Sequence, residues 1–310
     1  MFSEVVVVGQ IARDLVIEVP DAPDADSSAP VRRRQELLGG KGANQAVALG
    51  QLGMSVSLVG VVGEDRTGEV LRAQARADRI GTSHVVRRAG AETALLVDVV
   101  DEHGRRRYLE HVPEETLVTE TDVVAASAPI SAAGSLIVQL QQPAPAALLA
   151  ARLAHTAGTR VVLDGAPQGL ADDLLALADV LRADGHEAEL LTGHPVDDVP
   201  SAARAAADLR ERGPALVVLE VAGQGNLFAG PGESWFVPHV ETEVVDPTGA
   251  GDALVAALTA ALTRRRPLET AACLAVAAAA ATTEHAGGRP HLSRPDLDRL
   301  QPRRLETVHA

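Results

Sequence analysis

Lysine is all but absent from this chain: of its 28 lysines and arginines only Lys41 is a lysine. Asparagine is nearly as scarce, with Asn44 and Asn226 its two occurrences. Lysine is normally among the commonest residues, so two rare types kept within four positions suggest that their chemistry is needed there. A single cysteine, Cys273, rules out an internal disulfide and fits a reducing compartment. It sits in an Ala-rich apolar stretch and reads as an inert core residue. Basic charge is short as well. A net charge of −14 and a pI near 5.1 argue against a nucleic-acid partner, whose phosphates need a basic face. The arginine runs at 32–34, 105–107 and 264–266 are short and separated, and read as solvated charge. No apolar run reaches the ~20 residues of a membrane span, 271–281 being too short. No secretory leader opens the chain, since Met1-Phe2-Ser3-Glu4 runs straight into valines. The expectation is a soluble cytoplasmic protein with no membrane partner. Two nucleotide motifs are missing too. No G-x-G-x-x-G follows the first valine run, and Lys41 precedes a glycine instead of the Ser/Thr of a P-loop.

What the chain does have is concentrated in two places. At 244–258 two valines lead into Asp246-Pro247-Thr248-Gly249-Ala250-Gly251-Asp252, and an Ala/Leu helix follows. Small residues at a helix entrance let free backbone N–H groups approach a ligand at the positive end of the dipole. Such a site suits an anion, above all a phosphate. A carboxylate beside bound phosphate is costly unless it has a task. Asp252 therefore reads either as the base that takes a proton from an attacking hydroxyl, or as a plain helix N-cap. Far upstream stands the second stretch, Gly39-Gly40-Lys41-Gly42-Ala43-Asn44-Gln45-Ala46.

Both stretches, in this order and some two hundred residues apart, resemble the two signatures of the ribokinase/PfkB family of sugar kinases. The resemblance covers about residues 4–300. It implies an α/β chain with the ribokinase-like fold, a mainly parallel central sheet flanked by helices and a small β-sheet lid. Residues 1–310 would form a single kinase domain, with lid segments at about 13–37 and 94–111. The alternation of strands and helices after residue 135 is the pattern of a parallel sheet with crossover helices.

The resemblance also implies an activity, transfer of the γ-phosphate of ATP to a sugar hydroxyl, with a ribose-like furanose favoured. In it Asp252 is the catalytic base, and the N–H groups of Gly249, Ala250 and Gly251 neutralise the transferring phosphoryl. Asp14, Gly39, Gly40, Lys41, Asn44 and Gln141 would hold the sugar; Asn44 can both donate to and accept from a hydroxyl. Asp184, Glu187, Glu220, Gly223 and Gly225 would line the ATP, with Glu187 reaching Mg²⁺ through water, as suits an ion that dehydrates reluctantly. Asp246 and Thr248 would lie at a monovalent cation, K⁺ in the family. Exposed lid edges imply a homodimer clasped through the lid.

Several positions depart from the family pattern. Ala12 stands for an Asn, Gln141 for a Glu, Asp164 and Asp184 for Asn, Ala222 for a Gly, and Val112-Pro113-Glu114-Glu115 for a Gly-Ala-Asn-like segment. Glu220 replaces a Thr and would set a carboxylate against the triphosphate. These departures leave open a sugar acid or nucleoside as acceptor. They also motivate a second reading, a sugar- or nucleotide-sensing protein that kept the fold and lost turnover.

Overall fold

Apolar runs without polar alternation become the middle of one sheet, because strands covered on both faces have no solvent side to serve. In the computed structural model, which describes residues 3–308, these are β1 (Val5–Val8), β4 (Val56–Gly63), β8 (Ser135–Gln139), β9 (Arg160–Asp164), β10 (Val180–Ala183) and β11 (Leu216–Val221). With β5 (Gly81–Arg88) they run parallel in the order β5-β4-β1-β8-β9-β10-β11. Beyond β11 the sheet continues antiparallel through β12 (Gly225–Ala229), β13 (Ser234–Pro238) and β14 (Glu306–Thr307). Glu306 and Thr307 thus tie the end of the described chain to the sheet edge. Two residues are too few to show a period.

The two-residue period of β1 sorts its valines between two apolar layers. Val5 and Val7 belong to the layer that also takes in residues of the helices Lys41–Gln51, Arg66–Ala77, Ala250–Thr263 and Leu268–Thr283, while Val6 and Val8 belong to the layer of Ala144–Ala157 and Val199–Glu211. Cys273 lies only half-buried in the helix Leu268–Thr283 rather than in the core. None of the described helices is long and apolar enough to cross a membrane.

A separate four-stranded sheet holds β2 (Ala12–Val19), β3 (Arg33–Gly39), β6 (Leu95–Asp101) and β7 (Arg106–His111) in the order β3-β2-β6-β7. Alternation along β2 buries Ala12, Asp14 and Val16 and leaves Arg13, Leu15 and Ile17 half-exposed. The buried face overhangs the C-terminal ends of β1 and β8, the crevice where open α/β sheets bind ligands.

Ile137, at the centre of β8, is fully buried. Ile137→Ala is expected to cost about 2–5 kcal/mol, the range for emptying a packed core site. A lower denaturation midpoint at unchanged slope checks it.

Candidate active site

The site is assembled where two helices begin. The helix Lys41–Gln51 starts after Gly40 and the helix Ala250–Thr263 after Gly249, and they pack against each other. Gly249 is required there: its φ is +76°, and a Cβ would stand 1.9 Å from the Gly288 carbonyl oxygen. Asp252, in the first turn, makes no cap bond, so the N-cap reading fails. Its carboxylate instead accepts from two side-chain amides of the facing helix, Asn44 Nδ2 at 3.1 Å and Gln45 Nε2 at 3.3 Å. Gln45 Nε2 also donates to Asp164 Oδ2 at 2.7 Å.

Asp252 faces a cavity of about 340 Å³ shared with Gln10, Asp14, Gly40, Lys41, Asn44, Gln141, Thr248 and Gly249 from the main body. The lid closes it with Leu96, Arg106, Tyr108 and Glu110. Gly39 does not line this space. It lies behind Asp14, whose carboxylate a Cβ at position 39 would meet at 2.0 Å, so its smallness is what lets Asp14 in. Burial, then the charge of Asp252, pushes the Asp14 carboxyl up to about 7; its Oδ1 has no hydrogen-bond partner among the described residues. Burial, then Asp164, likewise pushes Asp252 up to about 7, against the pull of Lys41, Asn44 and Arg182. Burial opposes the charge of Lys41, but Asp164 and Glu187 outweigh it and leave its pKa raised. The cavity is therefore lined by two acids poised near neutrality and one firmly charged ammonium.

A second cavity, about 350 Å³, opens on the other side of the same helix entrance. Arg182, Glu220, Asn226, His239, Ala250 and Gly251 are among its lining, with Leu254, Val276 and Ala280 as an apolar wall. Glu220 does not stand there uncompensated. Arg182 Nη2 lies 3.4 Å from it, and the same guanidinium reaches Asp164 at 3.3 Å and Glu187 at 3.9 Å. Burial opposes the Arg182 charge, and the surrounding Asp164, Glu187 and Glu220 more than offset it. A Cβ on Gly251 would lie 2.8 Å from Arg182 Nη2, so the cation borders the 249–251 turn.

Asp184 and Glu187 are not in that lining. They form a reciprocal capping box: Glu187 N–H donates to Asp184 Oδ1 at 2.8 Å, and Asp184 N–H to Glu187 Oε2 at 2.9 Å. The remaining Glu187 oxygen lies 3.6 Å from Lys41 Nζ. Gly223 and Gly225 flank the turn from β11 to β12 and also lie outside the cavity lining. Asp246 is fully buried, and its oxygens accept from Thr248 N–H at 2.9 Å and Gly287 N–H at 2.7 Å.

Three residues carry parts of this geometry that sequence reading did not assign. Gln45 sat inside the upstream motif without a role. Arg182 belonged to an apolar strand and has partners on three other segments. Arg106, taken with its run as solvated charge, instead turns inward and pairs with Asp246 at 3.0 Å and with Asp98. The two-residue period of β7 sets Arg106, Tyr108 and Glu110 on one face, and that was the signal available.

Residues 3–294 match the family described as pfkB family carbohydrate kinase. The chain is 30% identical over 290 residues to the ribokinase of Haemophilus influenzae, covering 93% of this chain and 95% of that one. It is 31% identical over 262 residues to the bifunctional ribokinase/ribose-5-phosphate isomerase A of Fructilactobacillus sanfranciscensis, covering 84% of this chain and 48% of that protein. It thus spans about half the length of the bifunctional relative. Among solved structures, the Arabidopsis thaliana ribokinase complexed with ribose and ATP superposes with a TM-score of 0.81 at 25% identity, over 97% of this chain and 99% of that one. The chain belongs to the pfkB family of carbohydrate kinases and is an ATP-dependent sugar kinase.

The two raised acids set a pH dependence. Between the ordinary carboxylate range and about 7 the folded chain holds protons that the unfolded chain has released, so stability falls as pH rises through that window. Activity needing an ionised Asp252 should do the opposite. We expect kcat/KM to rise with an apparent pKa near 7, belonging to the coupled pair. Asp252→Asn should raise the melting temperature at pH 8 relative to wild type while removing that limb. A profile already flat at pH 5 would contradict this.

Proposed function

We propose that this kinase phosphorylates the primary hydroxyl of a furanose sugar, ribose first, with the acceptor in the lid-covered cavity and ATP in the cavity beside Arg182. The observation that carries the reading is the position of Asp252: its carboxylate faces the lid-covered cavity while its helix entrance presents the Gly249 and Gly251 N–H groups, with Ala250 N–H on a long 3.4 Å bond to the Pro247 carbonyl, at the junction of both cavities. Asp14, Lys41, Asn44 and Gln141 hold the sugar, and Gly40 allows the backbone to meet it closely. Asp252 takes the hydroxyl proton as oxygen attacks the γ-phosphorus and the bond to the β,γ-bridging oxygen breaks, that oxygen leaving with ADP. The N–H groups of Gly249, Ala250 and Gly251 stabilise charge developing on the phosphoryl, usually the largest catalytic contribution. Arg182 adds a fixed positive charge at their edge, and Glu220, paired with it, does not repel the triphosphate.

The described residues contain no cluster of three or more His, Cys, Asp or Glu side chains able to hold a metal. Mg²⁺ keeps most of its waters and would arrive on the triphosphate. Glu187 would reach it through water, and the ion would neutralise phosphate charge. Within a chain of this family, the sensing alternative has little support. The cytoplasm, where ATP is made and spent, is the compartment that fits. Exposed Leu109, on the outer face of lid strand β7, favours a homodimer joined through the lids. A monomeric mass at micromolar concentration would count against the dimer.

Release of ADP against a panel of pentoses, hexoses, sugar acids and nucleosides tests the reading. Ribose should give the highest kcat/KM. Binding without turnover across the panel would restore the sensor. Asp252→Asn should lower kcat by ~10²–10⁴, the usual range for a lost general base. Asp14→Ala should raise KM for the sugar and leave KM for ATP nearly unchanged; equal losses on both would place Asp14 outside the acceptor site.

A further inference from the structure

A monovalent cation beside Asp246 and Thr248 is what the family resemblance implies, and the residues present do not fit it. Both oxygens of the fully buried Asp246 are already engaged, one by Thr248 N–H and the Arg106 guanidinium, the other by Gly287 N–H. Arg106 Nη1 lies 3.0 Å from Asp246 Oδ1, so a cation taking that oxygen as a ligand would have to share it with a guanidinium. We propose that Arg106 replaces the monovalent cation in this kinase: its guanidinium, carried on lid strand β7, neutralises Asp246 and fixes the loop that presents the 249–251 N–H groups, so that phosphoryl transfer is independent of K⁺.

The physical case is one of charge and geometry. A buried carboxylate with only two amide donors leaves most of its charge uncompensated, a state that proteins avoid by pairing it. Arg supplies a charge that never titrates, in a planar fork able to serve two carboxylates at once. Asp98 is the second one. It lies beside Asp246 as well as Arg106, and burial, with Asp246 adding to it, holds its carboxyl above the ordinary range despite the arginine. Asp246 is three residues before Gly249, whose positive φ opens the catalytic helix. Whatever fixes Asp246 therefore fixes the direction of the N–H groups that follow. Arg106 touches no reacting atom in this account. It is a positioning residue.

The inference rests on phosphoryl transfer occurring at 249–252, and its test separates the two. Wild-type turnover should agree within about twofold between choline chloride, NaCl and KCl at matched ionic strength, since screening is then constant. Activation of the wild type tenfold or more by K⁺ over choline would overturn the proposal. Arg106→Met should lose ~10²-fold in kcat in choline, the scale of a misplaced anion-hole donor, and KCl should restore at least tenfold of it. Melting temperature supplies a readout without turnover. KCl should raise that of Arg106→Met by roughly 2–4 °C over choline and leave the wild type unmoved, because only the variant has room for the ion. A folded Arg106→Met that responds to K⁺ in neither measurement would reduce Arg106 to a structural ion pair. If that variant does not fold, the wild-type salt series and Arg106→Lys, which keeps a charge but not the fork, decide. Absence of turnover in every salt would count against the kinase reading, while the wild-type and variant melting temperatures would still decide this one.

Discussion

Arg182 is the cation on which the rest of the site depends. It is almost completely buried among Asp164, Glu187 and Glu220, three carboxylates that could not share the strand ends without it. Removing one partner of a buried pair leaves an uncompensated charge and costs about 3–5 kcal/mol. From Arg182 the order passes through hydrogen bonds: Asp164 holds Gln45, and Gln45 with Asn44 holds Asp252. The orientation of the proposed base is thus set by amides of one helix, anchored in turn by an arginine on a strand of the sheet.

That arrangement keeps Asp252 and Asp14 near the top of a carboxylate's range. A base works best with a pKa near the working pH, and burial is how a fold lifts an aspartate there. The cost is a folded state that weakens as both acids ionise. Lys41 limits the cost for Asp252.

What the sequence made legible was local. The valine runs, the glycine-marked helix entrances and the alternation on the lid strands each follow from neighbours along the chain, and the parallel sheet with its small second sheet is what stands. Cation placement was not legible, because the partners lie on other segments: Arg182 meets Glu220 38 positions away, and Arg106 meets Asp246 across the lid crevice. For the same reason Glu220 read as repelling triphosphate when its neighbour already compensates it. Asp184 and Glu187 show the converse. Their spacing makes a capping box, a local arrangement that sequence reading passed over in favour of a contact with nucleotide.

The solitary lysine has a practical consequence. Amine-directed reagents find only the α-amino group and Lys41 Nζ on this chain, and Lys41 lies on the wall of the lid-covered cavity, about one-third exposed. Its raised pKa makes it a slow nucleophile at neutral pH. A second amine adduct on the intact protein would therefore report on that one cavity. Immobilisation through lysine would tether the molecule by its own site, where for most proteins it would scatter the attachment over the surface.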